Sequence, residues 1–253
     1  MTLLQTIVMT IGIAAAAVVL LFVLTRFIPS ERREPHNDVV GFVYAVIGVI
    51  YAVVLAMVVI GTWETLDTAR ANTYTESNAL IDVYWYGKSL DNPAGTQIDQ
   101  LAQQYTDTVI NQEWPLLASQ QSSEQAWSEA NALRAAVTAQ APTSEAAQAR
   151  YEQALTATAT LSDARRERIN EAGDGIPSPL WVTLILGGAV TVAFALGFGM
   201  KSLWAHAAVV FCATLVVASL LILINELNFP FSGAVRVEPD AFQLALQQMQ
   251  GLG

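Results

Sequence analysis

The sequence predicts an all-α membrane protein, with four transmembrane helices in two hairpins and a helical domain inserted between the second and third spans. Three observations predict it. Hydrophobic residues fill 53% of the 253 positions and charged residues only 13%, against about a quarter charged in a soluble domain; mean hydropathy is +0.41. Four runs, Ile7–Thr25, Val39–Ile60, Leu180–Met200 and Leu203–Ile224, contain no Asp, Glu, Lys or Arg, and each has the ~20 residues that cross a bilayer as a helix. Between the two pairs lies a polar stretch, Trp63–Ser178, rich in Ala, Gln, Thr and Ser and without strand-like alternation.

The first run is preceded by Met1–Thr6, which has no basic residue. Its apolar core is longer than that of a signal peptide, so it reads as a retained span. The loop "RFIPSERREPHND" leads to the second span, where Ala45, Gly48 or Val49, Ala52 and Ala56 make a small-residue face suited to close helix packing. A second stripe, Val46, Ile50 and Val54 at i, i+4 and i+8, is β-branched and apolar. Lipid or core contact explains it; so does a dewetting constriction in an oligomeric pore. Trp63 is placed to anchor the interface, and Glu64 opens the polar extension.

From Trp63 no Pro or Gly occurs until Gly87, which predicts that the second span continues out of the membrane as one long helix ended by "DNPAG", Asp91–Gly95. A second helix is expected over Thr96–Gln120, bent at Pro115. Ser122 or Ser123 can cap a third carrying Trp127, Leu133 and Val137, and "APTSE" caps a fourth that ends at "GDGIPSP". On that fourth helix Asp163 and Glu167 read as a solvated i, i+4 face among Arg165, Arg166 and Arg168.

A short turn at Lys201–Ser202 joins the last two spans. His206, near the start of the fourth, reads as a packing or interfacial residue, with pH sensing as the alternative. Cys212, the single cysteine, reads as a small packing residue and excludes an intrachain disulfide. After the fourth span "NELNFPFSGAVRVEPDAF" makes an aromatic corner. Pro230 blocks continuation of the helix, Gly233 permits reversal, and Phe229 and Phe231 are placed at the lipid–protein boundary. A helix starting at Pro239-Asp240 offers Phe242, Leu244, Leu246 and Met249 for docking on the domain or on a neighbouring subunit. The expected divisions are therefore 1–62, 63–178, 179–225 and 226–253.

Trp63–Ser178 holds 16 acidic and 7 basic residues, nearly all of the chain's net charge of −10. Such a domain is either simply soluble or an antechamber whose field concentrates cations. The basic residues of the first loop (Arg26, Arg32, Arg33) and Lys201 favour a cytoplasmic position for those connections, which would put the domain outside the cytoplasm. The spans lack carboxylates, which argues against a proton-driven transporter. Two isolated histidines and the absence of HExxH, GxSxG, GxGxxG and P-loop motifs argue against an enzyme. No metal, cofactor or nucleic-acid site is expected.

"TWETLDTARANTYTESNALIDVYW" running out of the second span, with "LNFPFSGAVRVEPDAF" after the fourth, resembles the bacterial bestrophin-like membrane proteins over essentially the whole chain. Trp63-Glu64, Glu76 with Ala79-Leu80, and the Pro230-to-Gly233 corner with Val237 and Pro239 carry it; Asn228 departs from an often acidic position. The resemblance implies a homo-oligomeric ion channel in the cell membrane, pentameric by analogy. Its second spans would surround the axis, and Val46, Ile50 and Val54 would lie at neck-like positions. It implies lipid, monatomic ions and further copies of the chain as partners, and it places the helical domain in the cytosol, opposite to the charge argument. The alternative function is a membrane-anchored interaction or sensory protein whose spans do not conduct.

Overall fold

A computed structural model describes residues 3–91 and 93–251. Met1, Thr2 and Asn92, which fall in the expected amino-terminal flank and in the Asp91–Gly95 terminator, lie outside the described residues. Every regular element among the described residues is helical: α1 (Leu3–Phe27), α2 (Ser30–Arg33), α3 (Asn37–Lys88), α4 (Pro93–Thr108), α5 (Trp114–Leu117), α6 (Glu124–Thr138), α7 (Glu145–Gly173), α8 (Ser178–Gly197), α9 (Leu203–Leu227) and α10 (Asp240–Gly251). α1, α3, α8 and α9 are long and apolar enough to cross a membrane. The chain divides into two compact units. One comprises Met1–Glu64 with Ile176–Asn228, the other Thr65–Gly175 with Phe229–Gly253.

In the first unit α1 lies along α9, and α8 also packs on α9. Ala17, Leu21, Leu196 and Val210 close one apolar cluster, while Tyr51, Leu55, Val58, Leu184 and Ile224 close another. Several polar side chains of the spans spend their hydrogen bonds on backbone carbonyls, as a medium without water favours, whereas the buried Thr214 hydroxyl has no partner among the described residues. The Tyr51 hydroxyl donates to Leu184 O at 2.8 Å. The His206 ring meets Ala195 O at 3.0 Å and is buried, a packing role.

The two connections at one end of this unit are locked together. Asn37 donates to Gly199 O at 2.7 Å and accepts from Gly199 N at 2.9 Å. Arg33, buried and not displayed on the loop surface, donates to Leu196 O at 2.7 Å and to Thr25 Oγ1 at 3.1 Å. α8 stops at Gly197, short of the expected Met200, because Phe198 is extended. A Cβ on Gly199 would lie 2.3 Å from Glu34 N, so this close approach needs glycine.

The second unit is built by α3 from Thr65 onward with α4 to α7 and α10. Its core joins Leu80, Val83, Tyr84, Ile98, Tyr105, Leu133, Leu161 and Phe242. Ser123 and Ser144 cap α6 and α7, accepting from Ala126 N and Ala147 N at 3.2 Å each. The expected helix over Thr96–Gln120 forms one helical run, α4 passing at Thr108 into a π turn over Val109–Glu113 and then into α5, which begins one residue before Pro115. Pro115 follows the π turn directly inside this helical run, where a residue without an N–H and a widened turn together break the regular hydrogen-bond ladder.

The corner after α9 also departs from expectation. Phe231 is buried in the second unit, edge-on to Trp114 at 5.5 Å, and does not sit at the lipid boundary. Gly233 adopts φ 84° and turns the chain. Val237 N donates back to Pro230 O at 2.8 Å, and Val237 O accepts from Trp114 Nε1 at 3.2 Å. α10 then packs on α4 through Ala241, Phe242, Ala245 and Met249, whereas Leu244 points outward, 49% exposed.

Candidate functional site

Within the first unit, the sequence's pore candidates lie on α3. Val46 and Ile50 are exposed, while Val54 is half-buried against the cluster around Tyr51 and Leu55. The register explains the separation. At 100° per residue, Val54 is turned ~80° from Val46 toward the packed face. Val39, Phe42, Val49, Val53, Met57 and Ile60 share the exposed apolar side of the helix. α3 is also the least covered span: 11% of its spanning window is buried, against 22% to 33% in the other three. Trp63 and Glu64 follow it, both exposed.

A groove of about 700 Å³ runs beside this stripe between α3 and α9, floored by Gly48, Ala52 and Ala56. Cys212 opens into this groove and is exposed; it is not packed inside α9 as the sequence suggested. The small residues thus leave an open depression that is not filled by a helix of the same chain.

In the second unit the dominant polar feature is one that the sequence reading missed. Arg165 and Arg168 are fully buried, although Asp163, Arg166 and Glu167 do form the expected solvated face. Arg165 donates to both oxygens of Glu113, at 2.9 and 2.6 Å, and to the Tyr105 hydroxyl at 3.0 Å. Arg168 donates to Glu76 at 2.6 and 3.1 Å and to Glu113 at 2.7 Å. Tyr105 donates in turn to Glu76, and Ser123 N caps the network on Glu113 Oε2 at 3.0 Å. Aromatic faces enclose it: Trp127 lies 4.8 Å from the Arg165 guanidinium, and Trp114 and Phe242 lie 5.3 and 5.6 Å from that of Arg168.

The charges are held by each other. Burial alone would push the Glu113 carboxyl up, but Arg168 and Arg165 bring it below the usual carboxylate range. Burial likewise works against both guanidinium charges, and their partners, Glu76 and Glu113 for Arg168 and Tyr105 and Glu113 for Arg165, outweigh it. Burial, then the neighbouring Glu76, drives the Tyr105 hydroxyl far above its ordinary range. Two carboxylates and two guanidiniums make a neutral set that cannot readily release a proton. Its chemistry is fixation of α3, α4, α7 and the π turn. Among the described residues no group of three metal-ligating side chains occurs.

The comparisons with known proteins match this architecture. The sequence model of the bestrophin-like domain matches residues 11–242, and the chain belongs to the bestrophin-like family. Crystal structures of a bacterial bestrophin homolog from Klebsiella pneumoniae share its fold. One single-substitution variant superposes with a TM-score of 0.72 at 13% identity, covering 97% of this chain and 99% of that one. A second, solved by zinc anomalous phasing, gives 0.70 at 12% identity, covering 97% and 98%. A further crystal structure described as a membrane protein gives 0.72 at 13% identity, covering 97% and 98%. No curated protein matches the chain. The chain is thus a multi-pass membrane protein of bestrophin fold.

Proposed function

We propose that this protein is a homo-oligomeric ion channel of the plasma membrane, with α3 of each copy lining the axis. One observation supports this above the rest: α3 is the span its own chain covers least, and it leaves a continuous apolar side bearing Val46 and Ile50. A helix flanked by copies of itself around a pore needs such free surface. A ring of β-branched residues would form a narrow constriction that sheds water and sets the gate. The half-buried Val54 would take part only after rotation of α3, so Val46 and Ile50 are the stronger gate residues. Trp63 would anchor α3 at the interface and Glu64 would lead into the neck extension. Phe229, Pro230, Phe231 and Gly233 would serve as a structural corner. Five copies, as the family resemblance suggests, would pass monatomic ions, and the acidic 63–178 region would concentrate cations near one mouth.

Purified protein in liposomes tests this. A stable oligomer with ion flux is expected, and flux that rises in Val46→Ser and Ile50→Ser. A monomer without flux removes the channel reading and leaves a membrane-anchored interaction protein. Flux indifferent to both serine variants removes the gate while leaving the channel.

A further inference from the structure

The second unit has a polar cleft that the buried network does not use. It lies between α3 and α7 and holds about 150 Å³, lined by Asp82, Trp85, Tyr86 and Ser89 from α3 and by Arg150 and Gln153 from α7. Spacings of three and four residues on both helices put these side chains on facing sides. Asp82 and Gln153 also line a second polar cleft of about 420 Å³ that continues along the same seam past Asn78 and Thr156.

Two opposite charges thus share one small cleft, yet no ion pair joins them. Neither Asp82 nor Arg150 makes a hydrogen bond or ion pair with another described residue. Some surface charges of the same domain pair, as Arg166 does with Asp163 and Lys88 with Asp99, while Arg70 and Arg134 stand alone among the described residues as Arg150 does. What sets Arg150 apart is the carboxylate and the indole that line its cleft. A carboxylate and a guanidinium held apart across a cleft match a ligand that carries both complementary charges. Arg150 offers a planar fork to a carboxylate. Asp82 offers its oxygens to an ammonium, and the half-exposed indole of Trp85 adds a face that attracts a cation. Gln153 lines the same cleft and can serve either group with its amide.

Size narrows the class. At about 150 Å³ the cleft lies below the ~300–1,000 Å³ of pockets that take drug-sized ligands, which favours a molecule as small as glycine or alanine. A short polar side chain has room in the adjoining cleft, where the Thr75 and Thr156 hydroxyls donate to their own helices, to Ala71 O and Glu152 O, and turn acceptor lone pairs outward.

We propose that the Asp82–Arg150 cleft is a binding site for a small α-amino acid zwitterion, its carboxylate on Arg150 and its ammonium on Asp82 and Trp85. The site is independent of whether the spans conduct. A ligand there would bridge α7 and the distal end of α3, the same unbroken helix that carries Val46.

Isothermal titration of the full-length protein in detergent with glycine, L-serine, acetate and methylammonium tests the proposal. Glycine and L-serine are expected to bind in the 0.1–1 mM range, on the order of what so few atoms at a surface cleft support. Acetate and methylammonium, each lacking one charge, should bind at least about tenfold more weakly. Asp82→Asn and Arg150→Gln should each weaken glycine binding about tenfold or more with an unchanged melting temperature, since both side chains are exposed and unpaired. Absence of glycine and serine binding to folded protein overturns the proposal. Acetate or methylammonium binding as well as glycine overturns it too, as does glycine binding that survives both substitutions.

Discussion

Arg168 and Glu113 meet at 2.7 Å with no solvent exposure on either side chain. Each is also held by a second partner, Glu76 and Arg165 respectively. A buried pair of this kind stabilises little relative to a well-packed apolar substitute, but breaking it strands a charge in the core.

Glu113→Ala is therefore expected to destabilise the protein by about 3–5 kcal/mol, because it removes the partner of two buried arginines at once. Arg166→Ala, which removes only the exposed contact with Asp163, should cost less than about 0.5 kcal/mol. Chemical denaturation in detergent, read by tryptophan fluorescence, separates the two; equal costs would show that the network is not the domain's electrostatic core.

The corner after α9 offers a second contrast. Phe231→Ala empties a buried site against Trp114 and should cost about 3–5 kcal/mol, while Leu244→Ala on the outward face of α10 should stay within about 0.5 kcal/mol. Melting temperatures of the two variants check this, and a neutral Phe231→Ala would contradict its placement in the core.

Gly199→Ala should destabilise the first unit by about 1–3 kcal/mol, since the new methyl runs into the backbone at Ser30 and Glu34. Asn37→Ala should cost a comparable amount by leaving both polar groups of Gly199 without their clamp. Because both changes act on one contact, the double variant should cost less than their sum.

Glu171 gives the protein a pH dependence near neutrality. Burial lifts its carboxyl from an ordinary 4.5 to about 7, with Glu167 and Asp174 adding to the rise and the Asn72 amide and Arg168 opposing it. Asn72 donates to one of its oxygens at 2.5 Å. The folded chain thus holds this proton more tightly than the unfolded one. The stabilisation is complete below pH 4.5 and is lost as pH rises to about 7. Glu171→Gln should remove that segment of the profile and be more stable than the parent above pH 7, by on the order of 1 kcal/mol once partial exposure is allowed for. A denaturation midpoint measured across pH 4 to 8 in both proteins decides it; parallel profiles would exclude Glu171 as the group.

The spans were legible because a bilayer imposes a length and a polarity that each run satisfies alone, and α3 was legible as one helix because no Pro or Gly occurs from Trp63 until Gly87. Arg165 and Arg168 were not, since charged residues near Asp163 and Glu167 satisfy a local i, i+4 pattern whichever way they face. The missed signal was periodic. Ala154, Ala157, Leu161, Ala164 and Ala172 mark the buried stripe of α7, and both arginines fall on it. Their partners Glu76 and Glu113 lie on other helices, beyond any local window. Phe231 was misplaced for a related reason: an aromatic beside the end of a span suits a lipid boundary and a protein core equally well, and only the tertiary position of Trp114 distinguishes them. The Asp82–Arg150 cleft likewise joins positions 68 residues apart.

The π turn at Val109–Glu113 holds one residue more than an α-helical turn would. It acts as a phase shifter between α4, which presents Ile98, Ala102 and Tyr105 to the core, and the carboxylate that both arginines share. A single-residue deletion within it would regularise the helix and swing Glu113 by about 100° around the axis, aiming an acid outward and leaving Arg165 without a carboxylate beside Arg168, which Glu76 alone would then hold. At Ile110, Asn111 and Gln112, which are not buried, this stretch should therefore tolerate changes of side chain far better than any change of length.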